Sequence, residues 1–207
     1  MNRVSDMNKT GYIVDVSSID QLDSSILRQQ IIPIQQHFIF SALSTIKGSI
    51  ILKKDNTVAL LDDYATCLRY QFRCIQTMEN MSFLDECAFL KAFLALEKMK
   101  GQGLHVEYQV EEENFAIPPM SMVLLVQKAM LQSLSAETHE VRITGKKQNE
   151  DYLLEIWNSA SDTPGTLESQ IEKVRDVVAA WWRLQGNATV TWERQNDSVL
   201  LQVKIPL

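Results

Sequence analysis

Apolar residues recur at spacings of three and four from Leu22 to about Leu52, the period of an α-helix. Leu27, Ile31, Ile34 and Phe38 form one row, and Ile39, Leu43, Ile46 and Ile50 a second row on a neighbouring face. Two apolar faces on one helix imply burial on more than one side, as in a bundle. Pro33 is expected to kink or break this helix in its first third, because it lacks the amide hydrogen and crowds the preceding turn. The polar run Lys53-Lys54-Asp55-Asn56-Thr57 predicts a turn, and a second helix follows from about Val58 to Met78, closing an antiparallel hairpin. Ile34, Phe38, Leu43 and Ile46 offer more apolar surface than two helices can cover, so a second copy is expected to complete a four-helix bundle.

Ser82 and Asp85 are spaced as a capping box for a helix reaching Lys100, with Gly101 and Gly103 ending it. The period then changes. Leu104, Val106, Tyr108 and Val110 alternate as a strand. Ile117-Pro118-Pro119 opens an apolar helix over about 119–134, and strands follow at 140–146 and 152–158 around the turn Gln148-Asn149-Glu150. A loop over 159–166, a helix over about 167–185 stopped by Gly186, and a hairpin of strands 188–194 and 198–205 complete the chain. Val174, Val177, Val178 and Trp181 make a helical stripe that places Trp181 in a core and Trp182 at its edge. Glu111-Glu112-Glu113 reads as a solvated tip.

The formal net charge of −6 argues against a diffuse nucleic-acid-binding surface. Cys67, Cys74 and Cys87 make an odd set of three without a CxxC, and buried reduced thiols are expected, which implies a cytoplasmic protein. His37, His105 and His139 have no ligand spacing to them, so no metal site is expected. The first residues carry no signal-peptide core. The apolar stretch 31–52 contains Pro33, Gln35, Gln36, His37 and Lys47, which would be costly in lipid, so no membrane insertion is expected.

Four short motifs, in order, carry a resemblance. Gln35-Gln36-His37-Phe38-Ile39-Phe40-Ser41 lies on the first helix and Leu68-Arg69-Tyr70 on the second. Ile117-Pro118-Pro119 precedes the apolar helix, and Ile205-Pro206-Leu207 closes the chain. Together they resemble the LytS-like family of sensor histidine kinases, over about residues 22–207. In that family Asn-Pro-His-Phe-Leu-Phe-Asn carries the phosphoacceptor histidine. The resemblance implies an α+β fold: a dimerisation hairpin over 21–80, after a lead segment 1–20, and an α/β sandwich of the histidine kinase ATPase type over 81–207.

The resemblance also implies roles. His37 is the candidate phosphoacceptor, with Ser41 one turn on to orient its ring or a water. Arg69 is placed either to meet a phosphoryl group or acidic partner, or to act as an ion-pair partner inside the hairpin. The nucleotide site departs from the family at three places. Leu-Val-Glu-Asn-Ala is replaced by Leu125-Val126-Gln127-Lys128-Ala129, and a lysine ammonium offers donors where Mg²⁺ needs oxygen ligands. Lys128 either fills the vacated pocket or points to solvent. Asp-Asn-Gly is replaced by Asn158-Ser159-Ala160, an uncharged acceptor followed by a Cβ where glycine gives freedom. The glycine-rich lid is reduced to Thr163-Pro164-Gly165.

Ordinary Mg-ATP-dependent autophosphorylation is therefore expected to be lost, with no cofactor, because phosphoryl transfer depends on those groups. The function expected is two-component signalling as a homodimer, with His37 passing a phosphoryl group to or from a response regulator. The alternatives are an ATP- and Mg-dependent kinase with an atypical site, and a pseudokinase that regulates a true histidine kinase.

Overall fold

A computed structural model of the chain describes residues 11–13, 24–77, 80–100, 103–131, 139–159, 188–195 and 198–207. They fall into a helical unit, drawn from Asp20–Gln102 and Asn114–Val123, and a sheet unit, drawn from Met1–Ile19, Gly103–Glu113 and Leu124–Leu207. The fold is α+β, a helical hairpin followed by a mixed α/β region.

In the helical unit, α1 (Ser24–Ile51) and α2 (Thr57–Thr77) form the hairpin, and α3 (Phe83–Lys100) packs against both. α1 runs as one helix through Pro33, so the break expected there is absent. A mid-helix proline costs about 3 kcal/mol, which the remaining turns of a 28-residue helix outweigh. The apolar run of α3 buries residues on nearly every side, from Phe83 and Cys87 through Leu90, Phe93 and Leu96. Phe38 of α1 meets Phe93 with ring centroids 5.5 Å apart. Tyr70 of α2 stacks on Phe89 at 4.6 Å. α3, which a division at residue 80 assigns to the second domain, thus forms the centre of the helical unit.

That packing corrects the expected dimer surface. Phe38 and Ile46 are core residues, covered within one copy by its own helices. Ile34 lies outside the residues whose side chains are described. Of the four expected residues Leu43 stays exposed, and so do Phe40, at 72%, Val58, at 70%, Phe72, at 57%, and Ile50, Leu61 and Ile75. On α2, Val58, Leu61, Ala65, Leu68, Phe72 and Ile75 alternate at spacings of three and four. All of them are exposed or half-buried, while Leu60, Cys67, Gln71 and Cys74 line the buried side.

The turn into α3 realises half of the expected capping box. Ser82 Oγ accepts the Leu84 amide at 3.2 Å, but Asp85 pairs with Arg73 of α2 at 2.6 Å instead of reaching back. Ser82 belongs to a short strand, β2 (Met81–Ser82), paired antiparallel with β4 (Ala116–Ile117). This pair fixes the segment leading to α4 (Ser121–Leu131) beside the start of α3, where Phe83 stacks on Phe115 at 4.5 Å.

The sheet unit contains β1 (Gly11–Ile13), β3 (Leu104–Val110), β5 (His139–Gln148), β6 (Asp151–Ser159), β7 (Thr189–Gln195) and β8 (Ser198–Pro206). The strands form one sheet in the order β1-β7-β8-β6-β5-β3. β3 runs parallel to β5, and the other neighbours are antiparallel. β1 lies in the segment expected to be a weakly structured lead. Val141, Ile143, Tyr152, Leu154, Ile156 and Val203 alternate onto the buried face, as period-two patterning requires. Asn149, at φ 58°, takes the left-handed turn position between β5 and β6 that asparagine tolerates. The expected loop 159–166, apart from Ser159, and the helix 167–185 with Trp181 and Trp182 lie outside the described residues.

Candidate functional site

The candidate phosphoacceptor, His37, falls in the middle of α1, and its side chain lies outside the described residues. Its helix positions are informative. Phe38, the next residue, is buried against Phe93, whereas Phe40 and Ser44, three and seven residues on, are exposed and Ser41 is half-buried. Position 37 therefore shares a helix stripe with Ser41 and Ser44, beside the buried row of Phe38, Ala42 and Ile46. The Ser41 carbonyl accepts the Thr45 hydroxyl at 3.0 Å.

Arg69 is exposed on α2, and its guanidinium donates to the Thr66 hydroxyl at 3.3 Å. No ion pair to it is found among the described residues. Counted from the hairpin turn at 1.5 Å per residue, Arg69 stands about 18 Å along α2 and Ser41 about 15 Å along α1. The hairpin brings the two motifs to the same height.

The candidate nucleotide-site positions lie in the sheet unit. Gln127 is half-buried on α4; Lys128 follows on the same helix, with its side chain outside the described residues. Asn158 is fully buried near the end of β6, in register with Val141 and Val199 on its two neighbours. Ser159 Oγ accepts the Glu140 amide at 3.0 Å and so secures the start of β5. Ala160 and the Thr163-Pro164-Gly165 segment lie outside the described residues.

A residue passed over in the sequence stands at the centre of the helical unit. Glu86, on α3, is fully buried. Its Oε1 accepts the Tyr70 hydroxyl and the Met120 amide, and its Oε2 accepts the Met122 amide at 3.2 Å. It therefore satisfies the free amides at the start of α4 from a different helix, while holding the tyrosine of the Leu68-Arg69-Tyr70 motif. Burial pushes its carboxyl up and the three hydrogen bonds pull it back, leaving it at about 7. The available signal was a carboxylate three residues after Phe83 and four before Leu90, on the apolar side of α3.

Cys67, Cys74 and Cys87 are buried and form no disulfide among the described residues. Among the described residues no helix is long and apolar enough to cross a membrane, and no group of three or more His, Cys, Asp and Glu is placed to hold a metal ion.

Residues 23–103 match the histidine kinase family. The uncharacterized protein YwpD of Bacillus subtilis is 27% identical over 158 residues, covering 73% of this chain and 55% of YwpD. Sensor histidine kinase YpdA of Escherichia coli is 30% identical over 127 residues, covering 58% of this chain and 22% of YpdA. The chain thus spans about half the length of the first relative and under a quarter of the second. Among solved structures, the catalytic domain of histidine kinase ThkA superposes with a TM-score of 0.48 at 18% identity, over 62% of this chain and 95% of that domain. Over residues 23–103, which span the hairpin and α3, the chain is thus similar to the histidine kinase family, and its curated relatives include sensor histidine kinases.

Proposed function

We propose that this chain is the signalling core of a two-component pathway in which His37 exchanges a phosphoryl group with a response-regulator aspartate, without an ordinary Mg-ATP site of its own. One observation carries the reading. His37, on α1, stands in the place of the phosphoacceptor of the family that the chain resembles, while the places where that family meets Mg-ATP carry Gln127 and Lys128 on α4 and Asn158 and Ser159 at the end of β6. Cation-repelling and uncharged groups there oppose metal-assisted transfer from ATP. A relay needs neither. A neutral imidazole nitrogen attacks the phosphorus of the partner's aspartyl phosphate, the N–P bond forms as the acyl P–O bond breaks, and the aspartate leaves as a carboxylate. A metal ion held by the partner would neutralise the charge.

The bare apolar face of α2 supports dimerisation, with a second copy as its occupant. The same face supports a second reading, in which the chain pairs with the hairpin of a true kinase as a pseudokinase.

Incubation with a phosphorylated receiver domain tests the proposal. Acid-labile label should reach this chain, and His37→Ala should abolish it while preserving the fold. No transfer from any cognate regulator, with a hairpin that still pairs with a kinase, would leave the pseudokinase reading in its place.

A further inference from the structure

We infer that Glu86 is a proton-controlled latch that fastens the start of α4 to hairpin helix α2. Three donors from two elements converge on this one carboxylate: the Tyr70 hydroxyl from α2, and the Met120 and Met122 amides from the start of α4. Ionised, it is acceptor-only and suits all three. Protonated on Oε2, the oxygen that accepts a single donor, it presents a hydroxyl to the Met122 amide, at 3.2 Å the longest of the three contacts and the one given up.

The backbone at the latch is held against its own preference. Met120 has φ 63°, in the left-handed region that a non-glycine residue enters only at a cost. The carboxylate that binds its amide keeps it there. Release of the latch therefore favours relaxation of Met120 and fraying of the first turn of α4, the helix that continues to Gln127 and Lys128.

The groups around Glu86 leave the proton to decide. From α2 it faces Tyr70 and Cys74, whose thiol also interacts with the Tyr70 hydroxyl. Arg73 of the same helix is engaged by Asp85, the other carboxylate near Glu86 on α3. Segment 114–123 contains no ionisable side chain. Burial and the three hydrogen bonds oppose each other and leave the midpoint near neutrality. Both forms are then populated in the pH range where a cell operates.

The test is amide hydrogen exchange at Met120 and Met122 in the full chain, from pH 5.5 to 8.5, corrected for the intrinsic rate at each pH. Protection of Met122 should fall roughly tenfold as pH drops through the midpoint, the effect of losing a hydrogen bond to a charged acceptor. Tyr70→Phe should move that midpoint to higher pH, because the hydroxyl stabilises the ionised form. Glu86→Gln should hold Met122 at low protection throughout. Protection of Met122 that does not vary with pH in the unmodified chain would overturn the latch, as would a Tyr70→Phe midpoint that stays where it was. Both outcomes can be read even if Glu86→Gln does not fold.

Discussion

Gly145 and Tyr152 approach each other so closely on β5 and β6 that a Cβ at position 145 would stand 2.5 Å from the tyrosine oxygen and 3.1 Å from two of its ring carbons. The tyrosine is fully buried, and its hydroxyl donates to the Glu111 carbonyl, while the Glu111 amide donates to the Gly145 carbonyl at 2.9 Å. Glu111 is therefore more than a solvated tip: it joins the end of β3 to the β5–β6 pair. Gly145→Ala should destabilise the sheet unit by about 1–3 kcal/mol, the usual cost of overpacking. Tyr152→Phe in the same chain should recover part of that loss, since it removes the nearest atom. Urea denaturation of the two variants checks this, and a Gly145→Ala chain as stable as the original would refute the close contact.

The exposed stripe of α2 should control association. Leu61→Glu with Phe72→Glu should give a folded monomer in sedimentation, because both residues are exposed in one copy. Phe38→Ala should behave differently. It removes a buried ring and should cost about 3–5 kcal/mol whatever the oligomeric state. A folded dimer carrying both glutamates would move the interface away from this face.

Millimolar Mg-ATP should not raise the melting temperature, since a ligand that binds only the native state must raise it by mass action. Lys128→Asn alone should not restore a shift, because Gln127 and Asn158 still differ from the family pattern. A saturable rise of several degrees with the unmodified chain would establish the atypical kinase instead.

Glu86 should leave a signature in the pH dependence of stability. Its folded-state value is raised, from the ordinary 4.5 to about 7, so the folded chain holds a proton that the unfolded chain releases between those values. Its contribution is fully present below pH 4.5 and is lost as pH rises through about 7. The unmodified chain should therefore lose roughly 3 kcal/mol more than Glu86→Gln across that window. Parallel stability curves for the two chains would count against the assignment.

Burial pushes the Cys67 and Cys74 thiols up to about 12, and the carboxylates of Asp63 and Glu86 act in the same direction. Neither should react with an aromatic disulfide reagent at pH 8 until denaturant is added. Rapid reaction of the native chain would show that the core of the helical unit opens.

The sequence reading succeeded where one period dominates. The alternation Leu104-Val106-Tyr108-Val110 matches β3, and the paired runs around Asn149 match β5 and β6. It placed His37, Ser41 and Arg69 on the two hairpin helices for the same reason. It erred where periodicity alone cannot name a partner. The rows on α1 indicated two buried faces but not that the chain's own helices would bury Phe38 and Ile46, leaving Phe40 and Leu43 bare. Glu86 escaped notice because its donors, Tyr70 and the Met120 and Met122 amides, lie 16, 34 and 36 residues away in sequence. Backbone amides also leave no trace in residue identity.

The spacing of the bare residues on α2 carries a geometric consequence of its own. Val58, Leu61, Ala65, Leu68, Phe72 and Ile75 repeat every seven residues in pairs, whereas a straight helix turns once in 3.6. Such a row drifts by about 20° per seven residues around the cylinder, so it does not run parallel to the axis. A second helix that stays on the row must wind around α2 with a left-handed supercoil, crossing at about 20° with side chains seated as knobs in holes. The short side chain of Ala65 would let the two backbones come closest near the middle of the row.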